Sequence, residues 1–203
     1  MGRLDTVRRA KGLEYFTLLY NSLEALISLV AGVAAGSIAL VGFGLDSLIE
    51  VTSGAALLWR LHYDADVSRR LQMERTALRI VGWCFAALAL YILFESSSSL
   101  MLRHAPERSI LGIVLAAVSA VVMPLLARAK RRAASQIGSA ALRADSRQTD
   151  FCAYLSAILL AGLLLNALFG WWWADPVAGL VMAPLIGKEG FEALRGKGCE
   201  CAG

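Results

Sequence analysis

Histidine is nearly absent from this chain, and its two copies, His62 and His104, both fall outside the apolar runs. That disfavours a membrane-embedded enzyme, because no nucleophile and base pair is evident within a span. Cysteine is sparse as well: Cys84, Cys152, Cys199 and Cys201. The last two fall in a tail expected to face the cytosol, so the four make no disulfide framework. Cys84 reads as a small apolar filler of the third run. Long polar stretches are missing too. The polar connection 62–76 has room for no more than a short surface helix carrying Asp64, Asp66, Arg69, Arg70 and Glu74. No soluble domain fits between the apolar runs. Finally, Lys and Arg are absent from the middle of every run and from the first and fifth connections.

What is present is apolar surface. Of 203 residues 58% are hydrophobic, and mean hydropathy is +0.60, beyond the usual range of water-soluble domains. Six runs, 14–35, 37–61, 77–100, 109–127, 145–168 and 175–191, each approach the ~20 helical residues that a ~30 Å hydrocarbon layer requires. Asn21 and Glu24 interrupt the first run, which is also too long for a cleaved signal peptide. Basic residues cluster before the first run (Arg3, Arg8, Arg9, Lys11), after the second (Arg69, Arg70, Arg75) and after the fourth (Arg128, Lys130, Arg131, Arg132, Arg143). By the positive-inside rule both termini face the cytoplasm. The expected fold is an all-α membrane protein, a six-transmembrane-helix bundle. It divides into a basic cytosolic arm at 1–13, the bundle at 14–196 and a flexible tail at 197–203. The net charge of +4 is then a topology signal, and no nucleic-acid partner is expected.

Local punctuation adds detail. Trp171, Trp172 and Trp173 suit the outer headgroup region. Asp175 before Pro176 reads as a helix start with its own capping carboxylate. Pro124 and Pro184 are expected to kink the fourth and sixth spans. Gly32 and Gly36 form a G-x-x-x-G step that suits close helix contact.

The polar residues within the runs fall in rows at helical period. Thr17, Asn21, Glu24 and Ser28 share one face of the first span, and Gly42, Asp46, Glu50 and Gly54 share one face of the second. In the fifth, Asp145, Gln148, Cys152 and Ser156 align, with Asp150 on another face. Counting ~1.5 Å per residue from the span ends puts Glu50 and Cys152 at one depth. Carboxylates in a low-dielectric bundle need protons, a basic partner or a cation. With no Lys or Arg in mid-span, protonation and a metal ion remain for Asp46 and Glu50. Carboxylate oxygens, the Gln148 amide oxygen and the Cys152 thiolate would suit a four-coordinate divalent ion such as Zn2+. A proton and a metal that compete for the same oxygens expel one another, the least that an antiporter needs. Asn21, Glu24 and Asp145 are candidates for an accessory polar or proton path.

The acid pair Asp46-x-x-x-Glu50, together with the stretch SAALRADSRQTDFCAYLS at 139–156, resembles the transmembrane domain of the cation diffusion facilitators, or cation efflux family. The resemblance implies export of Zn2+, Cd2+, Co2+ or a related ion from the cytosol, protons as counter-ion, a homodimer, and a multi-pass location in a bacterial inner membrane. In the family the second and fifth spans each supply a His or Asp followed four residues later by Asp. Here the first pair maps onto Asp46 and Glu50, and the second onto Gln148 and Cys152, a departure that removes a titrating corner and adds a soft donor. Most relatives continue into a cytosolic domain, whereas this sequence stops soon after the sixth span; Cys199 and Cys201 offer two thiols there for capturing metal. The alternative reading is a non-transporting, metal-binding partner of a full-length transporter.

Overall fold

A computed structural model of the chain describes residues 3–62, 67–103, 106–137 and 140–195. The tail thiols Cys199 and Cys201 therefore lie outside the described residues, as do Asp64, Asp66 and His104. Six α-helices follow one another: α1 (Arg3–Ala35), α2 (Ile38–His62), α3 (Val67–Leu102), α4 (Ile110–Ile137), α5 (Ala140–Phe169) and α6 (Ala174–Leu194). Among the described residues there is no strand. Among the described residues, four segments are long and apolar enough to cross a membrane: Arg8–Ala35, Gly82–Leu102, Ile110–Gln136 and Asp145–Phe169.

The helices outrun the apolar runs at one end of the bundle. The basic arm continues α1, and the stretch from Arg128 to Ile137 continues α4. Small apolar residues explain the extension, because Ala10, Ala133, Ala134 and Leu142 are buried together there with Leu13 against them. Arg8, Arg9, Arg128, Arg131, Arg132 and Arg143 are exposed around them, and we call this the basic end.

α1 packs on α2 and α4, α5 on α4, α2 and α6, and α3 on α6 and α2. The α3–α6 contact relies on absent side chains. A Cβ on Gly82 would lie 2.7 Å from Leu194 Cγ, and one on Gly190 would lie 2.9 Å from Phe85 Cβ. Gly190→Leu should therefore destabilise the bundle by about 1–3 kcal/mol through overpacking, seen as a lower melting temperature in detergent.

Gly32 packs beside Val41 of α2, the close helix contact expected of it, while Gly36, with φ +64, ends α1 and turns the chain toward α2. Two expectations are corrected. Asp175 does not cap its own helix. Its Oδ2 accepts from Ile38 N at 3.0 Å and its Oδ1 from the Ser37 hydroxyl, so it satisfies the orphan amides of α2 from across the bundle. Cys84 fills nothing: it is exposed on the apolar outer face of α3, near Trp83 in sequence.

Candidate ion site

The polar row of α1 faces the interior. Thr17, Asn21, Glu24 and Ser28 are all buried, and Glu24 accepts hydrogen bonds from Ser47 of α2 at 2.8 Å and from Ser119 of α4. Tyr20 meets the same Ser119 at 2.7 Å. Glu24 is thus satisfied by hydroxyls. Asn21 is not satisfied: among the described residues neither amide atom of this fully buried side chain has a hydrogen-bond partner. Its level can be read from its neighbours. Leu18 lies over Gly54, and Glu24 bonds Ser47, so Asn21, midway between 18 and 24, stands opposite the turn that carries Glu50.

Asp46 and Glu50 project from α2 into the same interior, each 1% exposed. From α5, the Cys152 sulfur comes within 2.8 Å of Glu50 Oε2 and 3.2 Å of Asp46 Oδ2. The thiol has one proton and gives it to one carboxylate at a time. Met123 and Leu126 of α4 pack against Cys152, and Ser156 donates to its carbonyl at 2.7 Å. The acid pair is enclosed because Gly42 and Gly54 flank it: a Cβ on Gly42 would meet Ile92, and one on Gly54 would meet Leu18.

Thr149 is a member of the site that the sequence reading passed over. Its hydroxyl lies 3.1 Å from Glu50 Oε1 and 3.3 Å from the Asp145 carbonyl, either of which it can donate to. Gln148, one turn before Cys152, is half-buried. Thr149 thus joins Asp145, Cys152 and Ser156 on the buried side of α5, with the buried amide end of Gln148 at its margin. Asp150 lies on another side, where it pairs with Arg131 near the surface.

Lys130 corrects the reading of the basic residues. Counted as a topology signal in a connection, it is instead a fully buried residue within α4, donating to Asp145 Oδ2 and, at 3.3 Å, to Glu14 Oε2. Helix α4 carries it inside because Met123, Ala127, Lys130 and Ala134 form one buried stripe.

Among the described residues no three His, Cys, Asp or Glu side chains stand ready to hold a metal ion. Around a tetrahedral Zn2+ with one sulfur and one oxygen ligand, the two donor atoms sit about 3.5 Å apart, and here thiol and carboxylates are closed on one another.

A helical membrane bundle that encloses two carboxyls and a thiol in contact belongs to the proteins that handle ions. The cation efflux transmembrane domain matches residues 15–197, and the chain belongs to the cation efflux family. It is 31% identical over 104 residues to a cation-efflux pump, FieF, of Shewanella oneidensis, covering 51% of this chain and 35% of that one. An uncharacterized transporter of Methanocaldococcus jannaschii is 27% identical over 186 residues, 87% of this chain and 64% of its own. Transmembrane protein 163 of Xenopus laevis is 23% identical over 192 residues, 92% and 66%. The chain thus spans between about a third and two thirds of these relatives' lengths.

Proposed function

We propose that this protein moves a divalent metal cation of the Zn2+ class across the membrane, out of the cytosol and in exchange for protons. The observation that carries the reading is the contact of Asp46, Glu50 and Cys152 in the interior, where no Lys or Arg bonds either carboxyl among the described residues. Two acids and a thiol gathered in apolar surroundings are tolerable when protonated or when sharing a cation. The closed arrangement is the one that suits protons. Spreading the sulfur from the carboxylate oxygens by about 0.3 to 0.7 Å would admit a metal ion and release the protons. Asp46, Glu50 and Cys152 then serve as ligands, Gln148 offers an amide oxygen, and Thr149 holds Glu50 in place. Asn21 and Glu24 on the facing side of α1 provide the accessory polar path.

The basic end fits the cytosolic side, because its exposed arginines are those that a cytoplasmic face retains. The family resemblance supports a homodimer in a bacterial inner membrane. A second reading, a metal-binding partner without transport, is favoured by Gln148, which cannot titrate at its corner. Proteoliposomes distinguish the two: wild-type protein should accumulate Zn2+ against an imposed proton gradient, whereas binding without flux would decide for the partner. In the same assay, replacing Cys199 and Cys201 with Ser should weaken apparent affinity without abolishing uptake; an unchanged response would remove the tail from the mechanism.

A further inference from the structure

The proposed exchange leaves Lys130 unused, although it is among the largest side chains that the bundle fully encloses. Its ammonium ties Glu14 of α1 to Asp145 of α5, so a single cation joins three helices. Ion pairs of this kind repay their desolvation poorly compared with apolar packing, so stability alone is a weak reason to keep one. Two observations give it a direction. Glu14 is fully buried, and its second oxygen, Oε1, has no hydrogen-bond partner among the described residues. The carboxyl thus holds an unused acceptor beside the ammonium, as a group does when it serves more than one guest. The cluster also adjoins the ion site, because Thr149 reaches both Glu50 and the Asp145 carbonyl. Along α5, Asp145 precedes Cys152 by seven residues, or about 10 Å toward the basic end. One turn further out on each of α1, α4 and α5 lies the apolar cluster of Ala10, Ala133, Ala134 and Leu142.

We propose that Glu14 and Asp145 form a relay site for the divalent cation between the basic end and the Asp46, Glu50 and Cys152 site, and that Lys130 occupies it as a tethered stand-in. This rests on the transport reading. An ammonium is a compact charge on a flexible stem, able to withdraw without disturbing the backbone. A divalent ion brings twice the charge to the same oxygens and displaces it; once the ion moves on, the lysine returns and closes the way behind it.

The test is Zn2+ content after equilibrium dialysis of the purified full chain. In an Asp46→Asn/Glu50→Gln background, adding Lys130→Met should create a site holding about one Zn2+ per chain, and adding Glu14→Gln with Asp145→Asn should abolish it. The melting temperature of the Lys130→Met form should rise with Zn2+, and that of the form lacking both acids should not. If Lys130→Met gains no Zn2+ over its background, the relay is refuted. Should Lys130→Met not fold, the neutral Glu14→Gln/Lys130→Met/Asp145→Asn protein decides: a raised KM at unchanged kcat in proteoliposomes supports the relay, and native kinetics overturn it. Failure of the deeper site would appear separately, as undiminished Zn2+ in Asp46→Asn/Glu50→Gln alone.

Discussion

Protein carrying Asp46→Ala with Glu50→Ala should take up no Zn2+ above empty vesicles while melting at the same temperature as wild type or higher. Each carboxylate supplies a charge-assisted contact of roughly 1.5–3 kcal/mol to a bound cation, so losing both lowers affinity by about 10²- to 10⁴-fold. Folding responds in the opposite sense. Both side chains are buried, with no basic partner in contact among the described residues, and exchanging such groups for apolar ones is often neutral or stabilising. The cavity left behind and the loss of both carboxylate acceptors of the Cys152 thiol work the other way, but the thiol is a weak donor and its loss costs little. Lost flux with retained stability is the signature of a site kept for its function. Lost stability with retained flux would show that the acids only hold α2 to α5.

Helix positions and the acid pair were legible in the sequence because both depend on short-range pattern. Apolar length marks the spans, and a four-residue step puts Asp46 and Glu50 on one face whatever surrounds them. What escaped depends on neighbours. The α5 rows built on Gln148 and on Thr149 differ by only ~100° of helix rotation, so period alone could not choose between them. Thr149 joins the site because α2 lies on its side and brings Glu50 to its hydroxyl. Lys130 was hidden by its company: among Arg128, Arg131 and Arg132 it looks like one more topology charge. Its place at heptad spacing from Met123 was the available signal, and it becomes persuasive only once Glu14 and Asp145 are seen to converge there. Asp175 shows the same limit, since a local cap and a cap for a helix 137 residues away look alike in one dimension.

The second large effect concerns the metal itself. Purified Cys152→Ser protein should lose Cd2+ preferentially, by about tenfold or more, equivalent to ~1.4 kcal/mol, while its affinity for Mn2+ stays near that of wild type. Among the described residues the thiol is the one soft donor in contact with the acid pair, and thiolate ligation favours soft ions where carboxylate and carbonyl oxygens suit hard ones. Serine keeps a hydroxyl that can still donate to Glu50, so the apo arrangement and its stability should survive the change. Its oxygen does not ionise near neutral pH, and a ligand that must be deprotonated to bind is thereby lost. Spectroscopy separates this from an indirect effect: with Cys199 and Cys201 both replaced by Ser, direct ligation gives the protein a thiolate-to-Cd2+ charge-transfer band that the further change Cys152→Ser removes. Equal Cd2+ and Zn2+ content in both proteins, with no such band in either, would leave the carboxyls as the only ligands and return Cys152 to the packing of α5 against Met123 and Leu126.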